Sequence, residues 1–564
     1  MINTLINEAD LIGSEVCFLL EIEYMGAPYR FSTFAIDITD TQNSTINRYE
    51  GGLSDPDLDQ SISFVGFDLE VTTLAVELIF KGINWVNEWL QGRLINHSIC
   101  TLSMVTVRNG AALQTEMNKI HLFKGRVVDP IFGTPNRPEG YIIFSIQNDL
   151  QTSEVKLLKN SFEIDVYKFP NLQGLVEFPK GKYSPFVFGI PGNWPSRTGN
   201  NHSVKFNSIA HVSPSYIVSS SGSGASIAVD FLIAGHDVEA SQVRIFDQTG
   251  GNFRNTVLLD KDADGNLYSL VRYQSGSVLE DNSFVPGLDN DQTFWASWGE
   301  NDGGFTNVFE GGLLTGGGDL CLYVLDLLEL EIDRESFVGL KPILNEYKFA
   351  GYANDPEVTA LEWLQKNIIE YLPIAVTQGP KGIRAQLDMY HYVQKIETQY
   401  TIYTSGEFQP LTGLQPLDIE VVNKLIVQFC YEGEFDRYLS TVGINPYIPT
   451  ETAMIFPDHI AKLSAERFGT KEEVLTLPFV WDLNTAIKIA RDRIKKRGLG
   501  SMAIEFEAVG KYGYLALGDV VALNSTELGL VDHKCQVVQK SWSNGKWRFV
   551  LHLESNTVTN LRSM

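Results

Sequence analysis

FLLEIEYMGAPYRFSTFAI, residues 18–36, is the stretch on which the fold reading turns. Apolar and polar side chains alternate on both sides of Gly26-Ala27-Pro28, and a period of two belongs to a half-buried strand. Gly and Pro together set turn dihedrals, so the stretch predicts a β-hairpin closed at Gly26, Ala27 and Pro28. Working outward, residues 29–38, 69–80, 98–107 and 140–147 repeat the β-branched, alternating pattern between short Gly, Asn or Asp turns. WVNEWLQG, residues 85–92, reads as a short helical turn between two of them. Many short strands at regular spacing predict a barrel or sandwich.

The pattern changes twice further along. Residues 169–200 carry Pro170, Pro179, Pro185, Pro191 and Pro195 among glycines. Each proline removes a backbone donor and restricts its predecessor, so a structured junction is expected there. Strands resume through 226–273, after the Gly/Ser loop SSSGSGAS at 219–226. Beyond Gly318 the period becomes helical. DLCLYVLDLLELEI spaces Leu320, Tyr323, Val324, Leu327 and Leu328 on one face, with Asp319 as the expected N-cap. A second helix is expected between Pro356 and Pro373, and a last one over residues 485–498, whose Lys and Arg suit the negative end of the helix dipole. Three closing strands follow. The fold class expected is mainly β with α+β accessory domains. Expected borders are 1–168 for a β-barrel or sandwich, 169–318 for the junction and a second β-rich domain, 319–475 for an α+β domain and 476–564 for a closing helix-plus-strand domain, with interleaving allowed.

Composition excludes several functions. Lys+Arg 44 against Asp+Glu 69 gives a net charge of −25, and such a chain repels phosphate backbones and anionic lipid, so nucleic acid is not an expected ligand. Cys17, Cys100, Cys321, Cys430 and Cys535 form no C-x-x-C pair, which excludes a zinc ribbon or redox dithiol read from sequence. The N-terminus carries Glu8 and Asp10 where a secretory signal needs positive charge. No run reaches the roughly 18 apolar residues of a membrane span, since Asp326, Glu329 and Glu331 break the longest. The expectation is a protein made in the cytoplasm without stable membrane insertion.

Signatures for catalysis are missing: there is no G-x-x-x-x-G-K-[ST], H-E-x-x-H, G-x-S-x-G or strand-anchored G-x-G-x-x-G. His459 reads as a surface or partly packed residue, and Cys430 has no local partner. The sharpest motif is DKDADGN, where Asp260, Asp262, Asp264 and Gly265 match the opening of a calcium loop. Position twelve is Val271 instead of a bidentate Glu, so an acidic hairpin turn centred on Asp264-Gly265 is the competing reading. Apart from calcium there, no cofactor is expected. FWASWGENDGGF places Trp295, Trp298, Glu300 and Asp302 together, as a glycan cleft or an ordinary interface loop would.

Three stretches together resemble the tail hub proteins of tailed bacteriophages, the baseplate or tail-tip hubs. They are FPNLQGLVEFPKGKYSPFVFGIPGNWP at 169–195, the helical block at 325–387 with its A-G-Y at Ala350, Gly351 and Tyr352, and the closing segment from 485 with its turn Leu515, Gly518, Asp519, Val520 and Val521. The resemblance implies a non-enzymatic virion protein: a homotrimer whose tail-tube-like β-barrel domains, two per subunit, form a pseudo-sixfold ring. It further implies a distal tail protein, the end of the tape-measure protein and spike or fibre proteins as partners, with DNA only as cargo in the lumen. An acidic wall would repel that cargo and not hold it. Host-wall activity would belong to a partner, because the chain ends soon after the closing strand. The alternative is a tail-associated polysaccharide-binding or polysaccharide-degrading β-protein, which would need two carboxylates about 5–9.5 Å apart.

Overall fold

The computed structural model describes residues 15–62, 71–79, 82–134, 137–147, 154–158, 162–171, 181–189, 213–221, 228–238, 243–246, 252–274, 294–297, 308–309, 312–328, 330–379, 381–389, 398–416, 420–433, 436–446 and 455–553. The chain is mainly β, and among the described residues the α-helices lie between Gly317 and Arg497 apart from Trp85–Leu90.

The opening hairpin forms with a different turn. Strand Glu15–Tyr24 pairs antiparallel with Ala27–Ser32, and Tyr24 faces Ala27. The turn is therefore Met25-Gly26, with φ of 54° and 76°, and Pro28 lies in the strand opposite Glu23. Two successive positive φ values twist the hairpin as a two-residue primed turn requires, and Gly26 tolerates its value at no steric cost. Residues 29–38, expected as one strand, divide into Ala27–Ser32 and Ile36–Asp40. At the break the Ser32 hydroxyl donates to the Phe34 carbonyl at 2.9 Å, a local bond that replaces the ladder.

Both faces of the first strand are buried. Phe18, Leu20, Ile22 and Tyr24 enter a large core, whereas Cys17 and Leu19 point into a smaller one with Ile36, Ile38, Tyr49, Val105 and Val107. From this strand the pairing runs through Ile99–Arg108, Ile120–Thr134, Arg137–Gln147, Val71–Ile79 and Asp57–Ser61. Residues 52–54 stitch the far side: the Gly52 and Leu53 amides donate to the Ser32 carbonyl, and the Ile79 amide donates to the Gly52 carbonyl. Gly52 has a φ of 133°, and a Cβ there would overlap the Ile79 carbonyl oxygen, so the close approach of these backbones requires glycine.

The sheet then continues into the end of the chain. Asp57–Ser61 pairs with Leu530–Ser543 in the register Leu58 to Trp542 and Ser61 to Gln539. Leu530–Ser543 pairs onward with Val520–Ser525 and Lys546–Leu553, and the latter with Met502–Ala508. Strand pairing thus crosses from the expected first domain into the expected closing domain. Aromatic rings fill the join: Phe18 to Trp542 at 5.0 Å, Trp542 to Trp547 at 4.9 Å and Trp547 to Phe549 at 6.2 Å between centroids. Both indole N–H groups are satisfied, by Asp55 Oδ1 at 2.9 Å and by the Gly510 carbonyl at 3.0 Å.

Between these ends lie two further units. Strands Ser213–Ser221, Ala228–Ala234, Leu267–Gln274, Asn252–Lys261, Val243–Phe246 and Phe294–Ser297 pair in a closed ring. Alternation along Ala228–Ala234 sends Val229, Phe231 and Ile233 into one core and Leu232 into a second with Phe162, Phe169 and Tyr268. The other unit packs helix Leu483–Arg497 against the four-stranded sheet formed by Lys424–Glu432, Arg437–Asn445, Ile455–Pro457 and Glu472–Leu477, and helices Gly317–Leu327, Arg334–Leu344 and Ala360–Asn367 contribute to the same hydrophobic core. Asp319 is not the N-cap of the first of these helices. Gly316 takes that place, and Asp319 lies in the first turn, paired with Lys341 at 2.6 Å. A further helix, Arg334–Leu344, was not expected from the sequence; its Pro342 falls in the last turn, where a proline interrupts little of the helix.

Replacing Trp547 by Ala is expected to lower unfolding stability by about 3–5 kcal/mol, because a fully buried indole and its ring contacts are lost together. Denaturant titration followed by circular dichroism reads this directly. A loss under 1 kcal/mol would contradict the join.

Candidate functional site

The DKDADGN turn closes the hairpin between Asn252–Lys261 and Leu267–Gln274. Asp262 organises it: its Oδ1 accepts the amides of Asp264 at 2.9 Å and Asn266 at 2.8 Å, and its Oδ2 accepts the Asn266 side-chain amide at 2.9 Å. Positive charge comes from Lys168, whose Nζ lies 2.8 Å from Asp264 and 3.3 Å from Asp262. Burial opposes ionisation of Asp262, yet the Asn266 and Lys168 hydrogen bonds hold its carboxyl below the usual range. Asp260 stands apart in the strand and accepts the Lys261 amide at 2.8 Å. Lys168 thus bonds the carboxylates of both Asp262 and Asp264, and Asn266 that of Asp262. Among the described residues, no group of three or more His, Cys, Asp or Glu side chains gathers as a metal site.

Other chemistry-bearing groups resolve into structural roles. All five cysteines are buried, and burial raises the thiol pKa of each. His459 begins the helix His459–Phe468, exposed at its first turn. Trp298, Glu300 and Asp302 lie outside the described residues, and Trp295 falls in the closed ring opposite Pro214 and Phe246. A Ser–His pair that sequence reading missed does exist: Ser103 Oγ sits 3.1 Å from His121 Nδ1 on adjacent strands. Ser103 is 1% exposed, so its hydroxyl cannot reach a substrate. Beside it, Tyr49 OH donates to Glu21 at 2.8 Å and to Glu116 at 3.0 Å, while Lys119 bonds Glu21, Glu116 and Tyr49. Burial and then the Lys119 charge lower the pKa of His121, which is therefore neutral at pH 7.

The most developed constellation lies where the helical unit meets the long sheet. The Leu515–Val521 turn needs glycine at 518, where φ is 81° and a Cβ would strike the Gln386 side chain. Next to it, Asp519 accepts the Ala516 amide at 2.8 Å and Gln386 Nε2 at 3.0 Å, with Arg384 at 3.8 Å. Arg384 also donates to the Leu517 carbonyl at 3.1 Å and to Thr377 Oγ1 at 3.2 Å. Burial raises the Asp519 carboxyl above its usual range, against the pull of Arg384. Arg384 and Gln386 belong to the hairpin Ile374–Gly379 and Gly382–Leu387, so this turn and that hairpin lock through polar groups. A second lock joins Lys496 to Asp388 at 3.2 Å beside His552 of the last strand. Burial, then the Lys496 charge, pushes the His552 pKa down to about 3. No local signal marks Arg384, Lys496 or His552 in the sequence, because the partners that engage them across the junction lie far away along the chain, as with Arg384 and Leu517.

No family model matches the chain, and no curated protein matches it. Among solved structures it is similar to the 43 kDa tail protein of prophage MuSo2 from Shewanella oneidensis, at 9% identity, over 95% of this chain and 98% of that one, with a TM-score of 0.33. Two structures of the phage P2 baseplate in its activated conformation, one of them with Ca, align at 10% identity. They cover 62% and 67% of this chain and 87% and 90% of theirs, each with a TM-score of 0.17. Superpositions this loose carry no argument about activity or assembly.

Two outcomes are expected of the junction. Gly518→Ala combines strain at positive φ with the Gln386 clash and should lower the unfolding midpoint, by more than the roughly 1 kcal/mol typical of a point change. For His552 the folded pKa is depressed, so its contribution is fully present above the unfolded value of about 6.5 and is lost as pH falls toward 3. Between pH 7.5 and pH 5 that loss is about 2 kcal/mol, and His552→Gln should remove it. Equal pH dependence in the two proteins would refute the assignment.

Proposed function

We propose that this chain is a structural protein of a phage-type tail. In this reading it is the trimeric hub of a tail tip or baseplate, joining the tail tube or distal tail protein to spike or fibre proteins and lining part of the channel through which DNA leaves.

One observation carries the reading: the three separated stretches on which the sequence resemblance rests meet one another in space. Phe186–Phe188 of the first pairs antiparallel with Gly351–Ala353 of the second, which holds the A-G-Y. Arg384 and Gln386 of the second bond the Leu515–Val521 turn of the third. Scattered chance matches have no reason to assemble at shared contacts, whereas a common architecture does. A net charge of −25 suits a wall past which nucleic acid travels without being held.

Mass measurement by light scattering, alone and with candidate distal tail and spike proteins, tests this. The expected particle contains three chains and binds the distal tail protein. A chain that stays monomeric at every concentration and joins no tail component would overturn the proposal.

A further inference from the structure

Exposed apolar side chains concentrate at one place on the surface. Val86, Trp89, Leu90 and Leu94 are each between 39% and 70% exposed, and among the described residues no other stretch of nine holds more than two large apolar side chains so open to water. The first three stand at i, i+3 and i+4 of the helix Trp85–Leu90 and make one stripe along it. In a surface helix such a stripe normally faces the core. Here only Trp85 turns inward, buried at 5.9 Å from the Tyr24 ring. The helix is held in place from below. Asn84 accepts the Asn87 amide at 3.0 Å, and Tyr24 OH contacts Glu88 Oε2 at 3.2 Å and the Arg93 carbonyl at 3.1 Å. A stripe fixed before contact loses little freedom on binding.

We infer that this stripe is a contact between copies of this chain, with Trp89 and Leu90 at its centre. The inference rests on the tail-hub reading, which requires the chain to assemble with itself. Charge favours this occupant. The polar neighbours along the helix are Asn84, Asn87 and Gln91, and its one carboxylate, Glu88, is matched by Arg93 at 3.3 Å. The whole chain carries −25, so two copies repel wherever acidic surface meets acidic surface. At a neutral apolar stripe they approach without that cost. Four side chains fall short of the roughly 800 Å² per partner that a stable interface buries. They therefore form the water-excluding middle of the contact, where aromatic anchors carry most of the energy, and a polar surround completes it. In a closed ring of three the contact runs head to tail, so the stripe meets a different surface of the neighbouring copy.

Sedimentation of the full chain over a range of concentrations tests the inference. Trp89→Glu and Leu90→Glu are each expected to raise the dissociation constant of self-assembly by about 30-fold or more, the loss of one central anchor. Both residues are exposed, so circular dichroism and melting of the single chain should stay as they were. Met117→Glu, which changes an equally exposed apolar residue elsewhere, should assemble like the unaltered chain. Independently, a photoreactive benzoylphenylalanine at position 89 is expected to cross-link one copy to another. If the unaltered chain assembles, both variants assemble equally well and no cross-link joins two copies, the inference is overturned and the hub reading stands. Variants that assemble normally but lose a distal tail protein would assign the stripe to that protein and overturn the inference as well. A chain that never assembles with itself overturns both.

Discussion

The pairing of Asp57–Ser61 with Leu530–Ser543 is the constraint that ties the beginning of the chain to its end. Side-chain bonds reinforce it at sequence separations of 480 and 487, from Gln539 to Asp59 and from Trp542 to Asp55. Closing so long a loop costs configurational entropy before any contact repays it, although the cost grows only logarithmically with length. Contacts of this range also slow folding. The intervening units are arranged accordingly. The closed ring and the helical unit share a hydrophobic core that is separate from the core of the long sheet, so each part can collapse locally before the ends meet.

What crosses between the two large cores is polar. Lys124 reaches Glu331 at 2.5 Å, Arg384 and Gln386 hold the Leu515–Val521 turn, and Lys496 holds Asp388 next to His552. Several of these groups are almost fully buried, and a buried ion pair is a weak source of net stability. Their value is geometric. An apolar seam would tolerate sliding, whereas a fixed set of donors and acceptors accepts one orientation of the helical unit on the sheet.

Much of the local structure was legible in the sequence because its causes are local. Alternation marked the strands Glu15–Tyr24 and Ile99–Arg108, and the basic run Lys495–Arg497 marked the end of Leu483–Arg497. Where a local rule competed with another, the reading slipped. Pro28 suggested a turn that Met25-Gly26 makes, and Asp319 suggested a cap that Gly316 provides. The junction was largely illegible. Asp519 and Gly518 stood out as a turn motif, but nothing in the sequence placed Arg384 beside Leu517 or His552 beside Lys496. Isolated cations on strands and helices look like solvated faces until tertiary structure buries them.

Native-state hydrogen exchange tests the shared sheet most directly. If the ends of the chain form one cooperative unit, amides in 57–61 and 530–543 should exchange through a common opening with the same free energy and the same denaturant dependence. Protection that persists in 530–553 under conditions where 57–61 have already exchanged would show that the closing strands fold alone, and would contradict the account.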